Sequence, residues 1–336
     1  MATPVCELLR CELPIQLAPM GSVAATPALP LAVAAAGGHG MYPALGLPPA
    51  AIAPVVDALA DRTGAFGLNF IVPLMDRASL DLAVQRAPYI DFFLADPDPA
   101  LVEIVHAGGA ICGWQVESDR EARAAAAAGC DVVIAKAWES GGRKRIEGAT
   151  LLPLLDAVLD AVSVPVIAAG GIATARGVAA ALAAGAHGVR VGTRFIAATE
   201  SDAHPAWIRA LIDAAAEDAV VSVAFNVGLP EPGPHRVLRS SIQAAQALTP
   251  TRPESCDSPA PRSPSRASAP NRPRATRPAP SRRCRSTPVS RRARCARSSP
   301  QSRSWPSSPQ ACPRPPDSDQ ANDLIGSLPS HASDWA

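Results

Sequence analysis

Short apolar runs alternate with Ala- and Leu-rich stretches of helical period through the first 248 residues. The short runs predict strands at Ile15 to Ala18, Gly67 to Val72, Ile90 to Ala95, Ala110 to Val116, Asp131 to Ala135, Val164 to Ala169 and Gly188 to Val191, with a weaker eighth at Gly37 to Met41. Between them the spacing predicts helices at Ala50 to Arg62, Leu80 to Arg86, Ala100 to His106, Arg120 to Ala128, Leu151 to Ala161 and Ala175 to Ala184. A last helix is predicted from Pro205 to Ala216. This alternation is the pattern of repeated βα units around a parallel sheet. Eight strands and their helices match an α/β (β/α)8 barrel of about 250 residues better than an open doubly wound sheet. The open sheet would carry a GxGxxG turn after its first strand, where this chain reads Ala18-Pro19-Met20-Gly21.

Composition divides the chain. Of its 336 residues, 48% are hydrophobic, and the formal net charge is only +1. Residues 249–336 hold 15 of the 31 Lys+Arg and 6 of the 30 Asp+Glu, a balance of 15 − 6 = +9, so the first 248 residues carry 16 − 24 = −8. The same 88 residues take 17 of the 36 Pro and contain no Phe or Tyr. Such a segment cannot bury enough apolar surface to offset chain entropy, and it is expected to be a disordered tail. The expected organisation is therefore a barrel core over residues 1–196, the remaining barrel helix and the start of a truncated smaller domain over 197–248, and a low-complexity tail over 249–336. Two readings of the tail stay open. Its arginines suit a nucleic-acid arm held by charge alone, yet Trp305 and Trp335 are its only large rings for base stacking. Alternatively, Arg, Pro, Ser, Ala and Cys are the mixture that GC-rich codons give in a shifted frame.

No stretch approaches the roughly 18 uninterrupted apolar residues of a spanning helix. Glu7, Arg10 and Glu12 stand where a signal peptide would be apolar, so a cytoplasmic protein is expected. Cys6, Cys11, Cys112 and Cys130 sit singly in apolar surroundings, without the spacing of a metal site, and read as buried thiols.

In a barrel the chemistry sits at the C-terminal ends of the strands. The run Val164 to Ala169 ends in Gly170-Gly171, and the next strand ends in Gly192-Thr193. Backbone N–H groups of these two loops, with the Thr193 hydroxyl, can cradle one phosphate. The bland alternative is that the glycines only permit tight βα turns.

With these residues the sequence resembles the nitronate monooxygenase family, also called 2-nitropropane dioxygenases, which are FMN-dependent barrels. The resemblance runs over roughly residues 4–248. It rests on Pro14 to Gly21 (PIQLAPMG), Phe66 to Phe70 (FGLNF), Ala128 to Ala135 (AGCDVVIA), Trp138 to Gly142 (WESGG), Ala168 to Ile172 (AAGGI) and Gly188 to Phe195 (GVRVGTRF). It implies that FMN is contacted by Met20, Asn69, Lys136, Gly141, Gly170, Gly171, Arg190, Val191, Gly192 and Thr193, with Gly171, Gly192 and Thr193 nearest the phosphate. It also implies oxidation of alkyl nitronates with O2 to a carbonyl compound and nitrite, the flavin carrying the redox chemistry. The implied partners are a nitronate or nitroalkane and O2, without a membrane or a metal.

Two positions depart from the family pattern. Lys136 replaces an amide with a donor-only cation, and Arg143 stands where the family has a histidine credited with taking a proton from neutral nitroalkanes or polarising the nitro group. Arg is effectively never a base at neutral pH. Arg143 can bind the nitronate anion, so activity is expected to favour the preformed anion. His39, after Gly37-Gly38, is the candidate substitute base. A flavin-dependent enoyl-thioester reductase, sharing the phosphate loops, and a non-catalytic flavin-binding remnant remain as alternatives.

Overall fold

The computed structural model describes residues 3–144, 148–225 and 233–247. Its strands are β1 (Ile15–Leu17), β2 (Gly40–Pro43), β3 (Phe66–Ile71), β4 (Tyr89–Phe93), β5 (Ile111–Val116), β6 (Val132–Lys136), β7 (Gly142–Arg143), β8 (Val166–Ala169), β9 (Gly188–Val191), β10 (Ala219–Ser222) and β11 (His235–Leu238). The helices are α1 (Pro4–Leu9), α2 (Ala28–Ala35), α3 (Pro49–Ala60), α4 (Arg77–Ala83), α5 (Pro99–Ala107), α6 (Asp119–Ala127), α7 (Leu151–Ala161), α8 (Ala175–Ala183), α9 (Pro205–Ile212) and α10 (Arg239–Ala247). The tail from 249 onward, on which the expectation of disorder falls, lies outside the described residues.

Eight strands run parallel in the order β1, β9, β8, β6, β5, β4, β3, β2. A single bridge between Gln16 and His39 joins the two ends of that order. There the His39 N–H donates to the Ile15 carbonyl (2.9 Å) and the Leu17 N–H to the His39 carbonyl (2.9 Å). The expected eight-stranded α/β barrel is therefore present. Helices start where the sequence supplies caps: Asp98, Ser118 and Thr174 each accept a backbone N–H of the turn that follows. Asp76 does the same for Ala78 and Ser79, which starts α4 three residues before the periodicity suggests. Helix α9, predicted from Pro205 to Ala216, ends at Ile212, because Ala216–Asp218 form a separate 3-10 turn whose Asp218 carboxylate accepts the Ala215 N–H.

The weakest strand also shifts. Gly37 turns at φ +87°, and regular pairing begins only at Gly40. Helix α2 seats directly on that strand: a Cβ at Gly40 would lie 2.3 Å from the Pro30 carbonyl oxygen. Alternate residues face the helices and make the apolar core, where Phe92 and Trp114 are register partners with ring centroids 5.0 Å apart.

The pattern did not anticipate a second sheet, β10-β11-β7, all antiparallel. Its strand β7 comes from the segment assigned to the barrel core and β11 from the segment assigned to the smaller domain, so the 196 boundary does not separate the two sheets. Two-residue β7 is too short to show a period. Among the described residues no helix is long and apolar enough to cross a membrane.

Candidate functional site

Strand register fixes which side chains share a face. Gln16, Arg190, Ala169 and Lys136 form one continuous row of partners across β1, β9, β8 and β6. Asn69, Asp91 and Gly113 form a second across β3, β4 and β5. Arg190 and Asp91 lie on strands that are not neighbours, yet they form an ion pair with side-chain exposures of 3% and 0%. The pair must therefore cross the barrel interior. Around it, the Arg190 Nε donates to Gln16 Oε1 (2.8 Å), the Asn69 amide donates to Asp91, and the Tyr89 hydroxyl donates to Asp91 Oδ2 (3.4 Å). The Gln16 amide nitrogen lies 3.1 Å from His39 Nδ1. Gly113 makes room for this cluster, since a Cβ there would lie 2.1 Å from the Tyr89 hydroxyl. Arg190 Nη1 is buried and has no hydrogen-bond partner among the described residues.

His39 is part of this interior and is 1% exposed. Burial and the neighbouring Arg190 charge push its pKa down to about 3. It is the bridge partner of Gln16 and immediately precedes β2, at the strand's N-terminal side rather than at the C-terminal rim where barrel chemistry sits. A ring this reluctant to take a proton is poorly matched to general-base work near neutral pH.

At the rim, Lys136 ends β6. Its Nζ donates to Glu117 Oε1 (2.7 Å) and to the Arg143 carbonyl (2.7 Å), and it lies 4.6 Å from the centroid of Phe93. Burial lowers its pKa, while the Glu117 charge acts against that shift. The hydrogen bond to Arg143 ties the second sheet to the rim. Arg236 Nη2 on β11 donates to the Trp138 carbonyl (3.0 Å), so the same seam is closed twice, while the Lys144 N–H donates to the Pro234 carbonyl (3.0 Å) and extends the pairing of β7 with β11. Lys144, lowered to about 8 chiefly by burial, points its ammonium at the Trp138 carbonyl and ring.

The loops after β8 and β9 sit side by side because Ala169 and Arg190 are register partners. Gly170 and Gly171 have φ +120° and +68°, a region that side chains other than glycine seldom adopt. Gly170 is buried against the Ala137 to Ser140 segment, whereas Gly171 is exposed. Gly192 packs against the first loop, where a Cβ would meet Ala18 at 3.3 Å and the Met20 sulfur at 3.4 Å. Thr193 is exposed and opens a 3-10 turn to Ala197. Met20, Gly171, Gly192 and Thr193 are thereby brought to one rim.

The other residues singled out from the sequence are distributed differently. Asn69 is 4% exposed and its amide is engaged by Asp91. Val191 alternates with Arg190, so its side chain faces the helices and only its backbone can reach the rim. Gly141 is exposed with open space where a Cβ would go, so packing does not require a glycine there. Arg143 is half-buried on β7, opposite His235 on β11. Sequence reasoning missed Gln16, Asp91, Glu117 and His235. Asp91 carried a signal, a lone acid inside the apolar run Tyr89–Phe93. The pairing of His235 with Arg143 joins positions 92 apart and left none.

Residues 67–253 match the family model described as Nitronate monooxygenase. The Mycobacterium tuberculosis protein named (3aS,4S,5R,7aS)-5-hydroxy-7a-methyl-1-oxo-octahydro-1H-indene-4-carboxyl-CoA dehydrogenase is 34% identical over 249 residues, 72% of this chain and 67% of that protein. A nitronate monooxygenase of Neurospora crassa is 34% identical over 151 residues, 39% of this chain and 40% of that protein. Among solved structures, FabK from Thermotoga maritima matches with a TM-score of 0.65 at 35% identity, covering 74% of this chain and 80% of that one. A nitroalkane oxidase from Streptomyces ansochromogenes matches with a TM-score of 0.62 at 30% identity, covering 69% and 78%.

Proposed function

The chain belongs to the nitronate monooxygenase family, and from that membership we propose that it is an FMN-dependent oxidoreductase that turns alkyl nitronates and O2 into a carbonyl compound and nitrite. The observation that carries the cofactor reading is the pair of adjacent loops in which Gly171 and Thr193 are both exposed at neighbouring strand ends. Their backbone N–H groups and the Thr193 hydroxyl suit a phosphate. Arg190, with a buried donor still unsatisfied, suits an acceptor on the rest of the group. The residues present therefore fit FMN, which when bound supplies the electron transfer between substrate and O2.

The chain's own part is to bind and orient. Arg143 carries a permanent charge and a planar donor fork that suits the two oxygens of a nitronate. Lys136, held by Glu117 and the Arg143 carbonyl, fixes the backbone of that arginine over the rim. A second reading, reduction of an enoyl thioester with NADH, is favoured by the 34% identity to a protein named as a CoA-ester dehydrogenase.

Purified protein is expected to be yellow and to release FMN rather than FAD on denaturation. It is expected to lose the flavin when Gly171 is changed to Leu, where φ +68° strains any side chain and Glu139 crowds it. Nitrite release from propyl-2-nitronate tests the activity, and Arg143→Ala should lower kcat/KM by about 10–100-fold, the worth of one charged hydrogen bond. A colourless protein that FMN cannot reconstitute would sink the cofactor reading. Thioester-dependent NADH oxidation without nitrite release would favour the second reading, and bound FMN with neither turnover would favour a non-catalytic remnant.

A further inference from the structure

Neutral nitroalkanes must lose an α-proton before they become nitronates, and Arg143 cannot take it. The described residues contain five histidines. His39 is sealed in the barrel interior, and His106 is bound to Asp131 at 2.8 Å. His187 Nδ1 accepts the Val166 N–H (3.1 Å), and His204 caps α9 by accepting the Ala206 N–H (3.2 Å). The fifth, His235, is on β11 and is the direct register partner of Arg143 on β7. Directly opposed residues of an antiparallel pair project from the same face, with Cα atoms about 4.5–5.5 Å apart. Gly233 fits between them. Its carbonyl accepts from His235 Nδ1 (3.0 Å), and a Cβ on it would lie 2.9 Å from the Arg143 Nε.

We propose that His235 is the general base of this site, taking the α-proton of a neutral nitroalkane whose nitro group is held by Arg143. The proposal rests on the reading of the rim as a nitronate site. A carbonyl can only accept, so the bond to Gly233 fixes the proton on Nδ1 and leaves the Nε2 lone pair as the acceptor. In the step the Cα–H bond breaks, the proton passes to Nε2, and the electron pair forms the C=N bond of the nitronate. The new negative charge resides on the nitro oxygens beside the guanidinium. Half-burial and the charges of Arg143 on β7 and Lys136 on β6 hold the ring's pKa below its ordinary 6.5, although the Gly233 carbonyl acts the other way. The ring is therefore neutral and ready to accept at pH 7. The tertiary structure thus restores what the sequence lacks at position 143, and neutral 2-nitropropane becomes a substrate beside the preformed anion.

Three measurements separate this proposal from the oxidation reading. With O2 present, the ratio of the 2-nitropropane rate to the propyl-2-nitronate rate is expected to fall by about 100-fold or more in His235→Asn, within the usual range for general-base help. The pH profile of kcat/KM for 2-nitropropane should show a limb below 6.5 that the variant lacks. Without O2, NMR should record exchange of the 2-nitropropane α-proton in D2O, catalysed by the native protein and lost in His235→Asn. Exchange without nitrite formation would refute the oxidation reading and uphold the base. An unchanged ratio, or exchange that persists in the variant, would overturn the proposal, as would loss of exchange in His39→Gln alone.

Discussion

Asp91 and Arg190 are the residues on which the barrel interior turns. Each is almost fully buried, and each has the other as its only ionic partner among the described residues. Removing one member of such a pair leaves an uncompensated buried charge, which costs about 3–5 kcal/mol, whereas replacing both with apolar groups is often close to neutral. Asp91→Leu should therefore lower the denaturant midpoint sharply, and Asp91→Leu with Arg190→Met should recover much of the loss. A single variant as stable as the native chain would show that the pair is not buried as described. His39 contributes a pH dependence. Its pKa is about 3 when folded and about 6.5 when exposed, so the unfolded chain binds the proton more readily. Its contribution to stability is complete above about pH 6.5 and is lost as pH falls toward 3, at up to about 1.4 kcal/mol per pH unit. Chemical denaturation across that window should show this slope, and His39→Gln should remove it.

At the scale of elements, the seam between the barrel rim and the β10-β11-β7 sheet does the positioning. Lys136 spans it, with one bond to Glu117 on the barrel side and one to the Arg143 carbonyl on the other. Lys136→Met keeps an apolar side chain of similar length and removes both bonds together with the cation over the Phe93 ring. It should cost up to about 3–5 kcal/mol, because the Glu117 side chain is 9% exposed and loses the Lys136 ammonium at 2.7 Å. Brief proteolysis should then cut near Arg143 faster than in the native protein, and unchanged cutting would place the seam's strength elsewhere. The two kinds of element differ in how plainly the sequence announces them. Glycines at 170, 171 and 192 follow strands that are themselves visible as apolar runs, so their loops were legible together. Strand β7 has two residues, too few for a period to emerge, and β11 (HRVL) opens on two polar residues rather than an apolar run.

The whole molecule depends on closure of the ring. Strand β1 lies between β9, through the Ile15–Val189, Gln16–Arg190 and Leu17–Val191 partners, and β2, through the Gln16–His39 bridge. Deleting residues 1–18 would expose two open sheet edges, and such edges template aggregation. Size-exclusion chromatography of that deletion should show large species or no soluble protein, and a stable monomer would contradict the closed ring. The sequence by itself determined the class of this fold, the number of strands around the barrel, and the rim that carries the glycine loops, but its pattern left out helix α2 (Ala28–Ala35) between the first two strands. Those features come from local periodicity and from residues a few positions apart, where the chain alone fixes the geometry. The tertiary structure decided what long-range register controls: that Asp91 meets Arg190 across the interior, that His39 is locked away from the rim, and that His235 stands opposite Arg143. A one-residue change in register would turn each of these side chains to the opposite face, so no local pattern could have specified them.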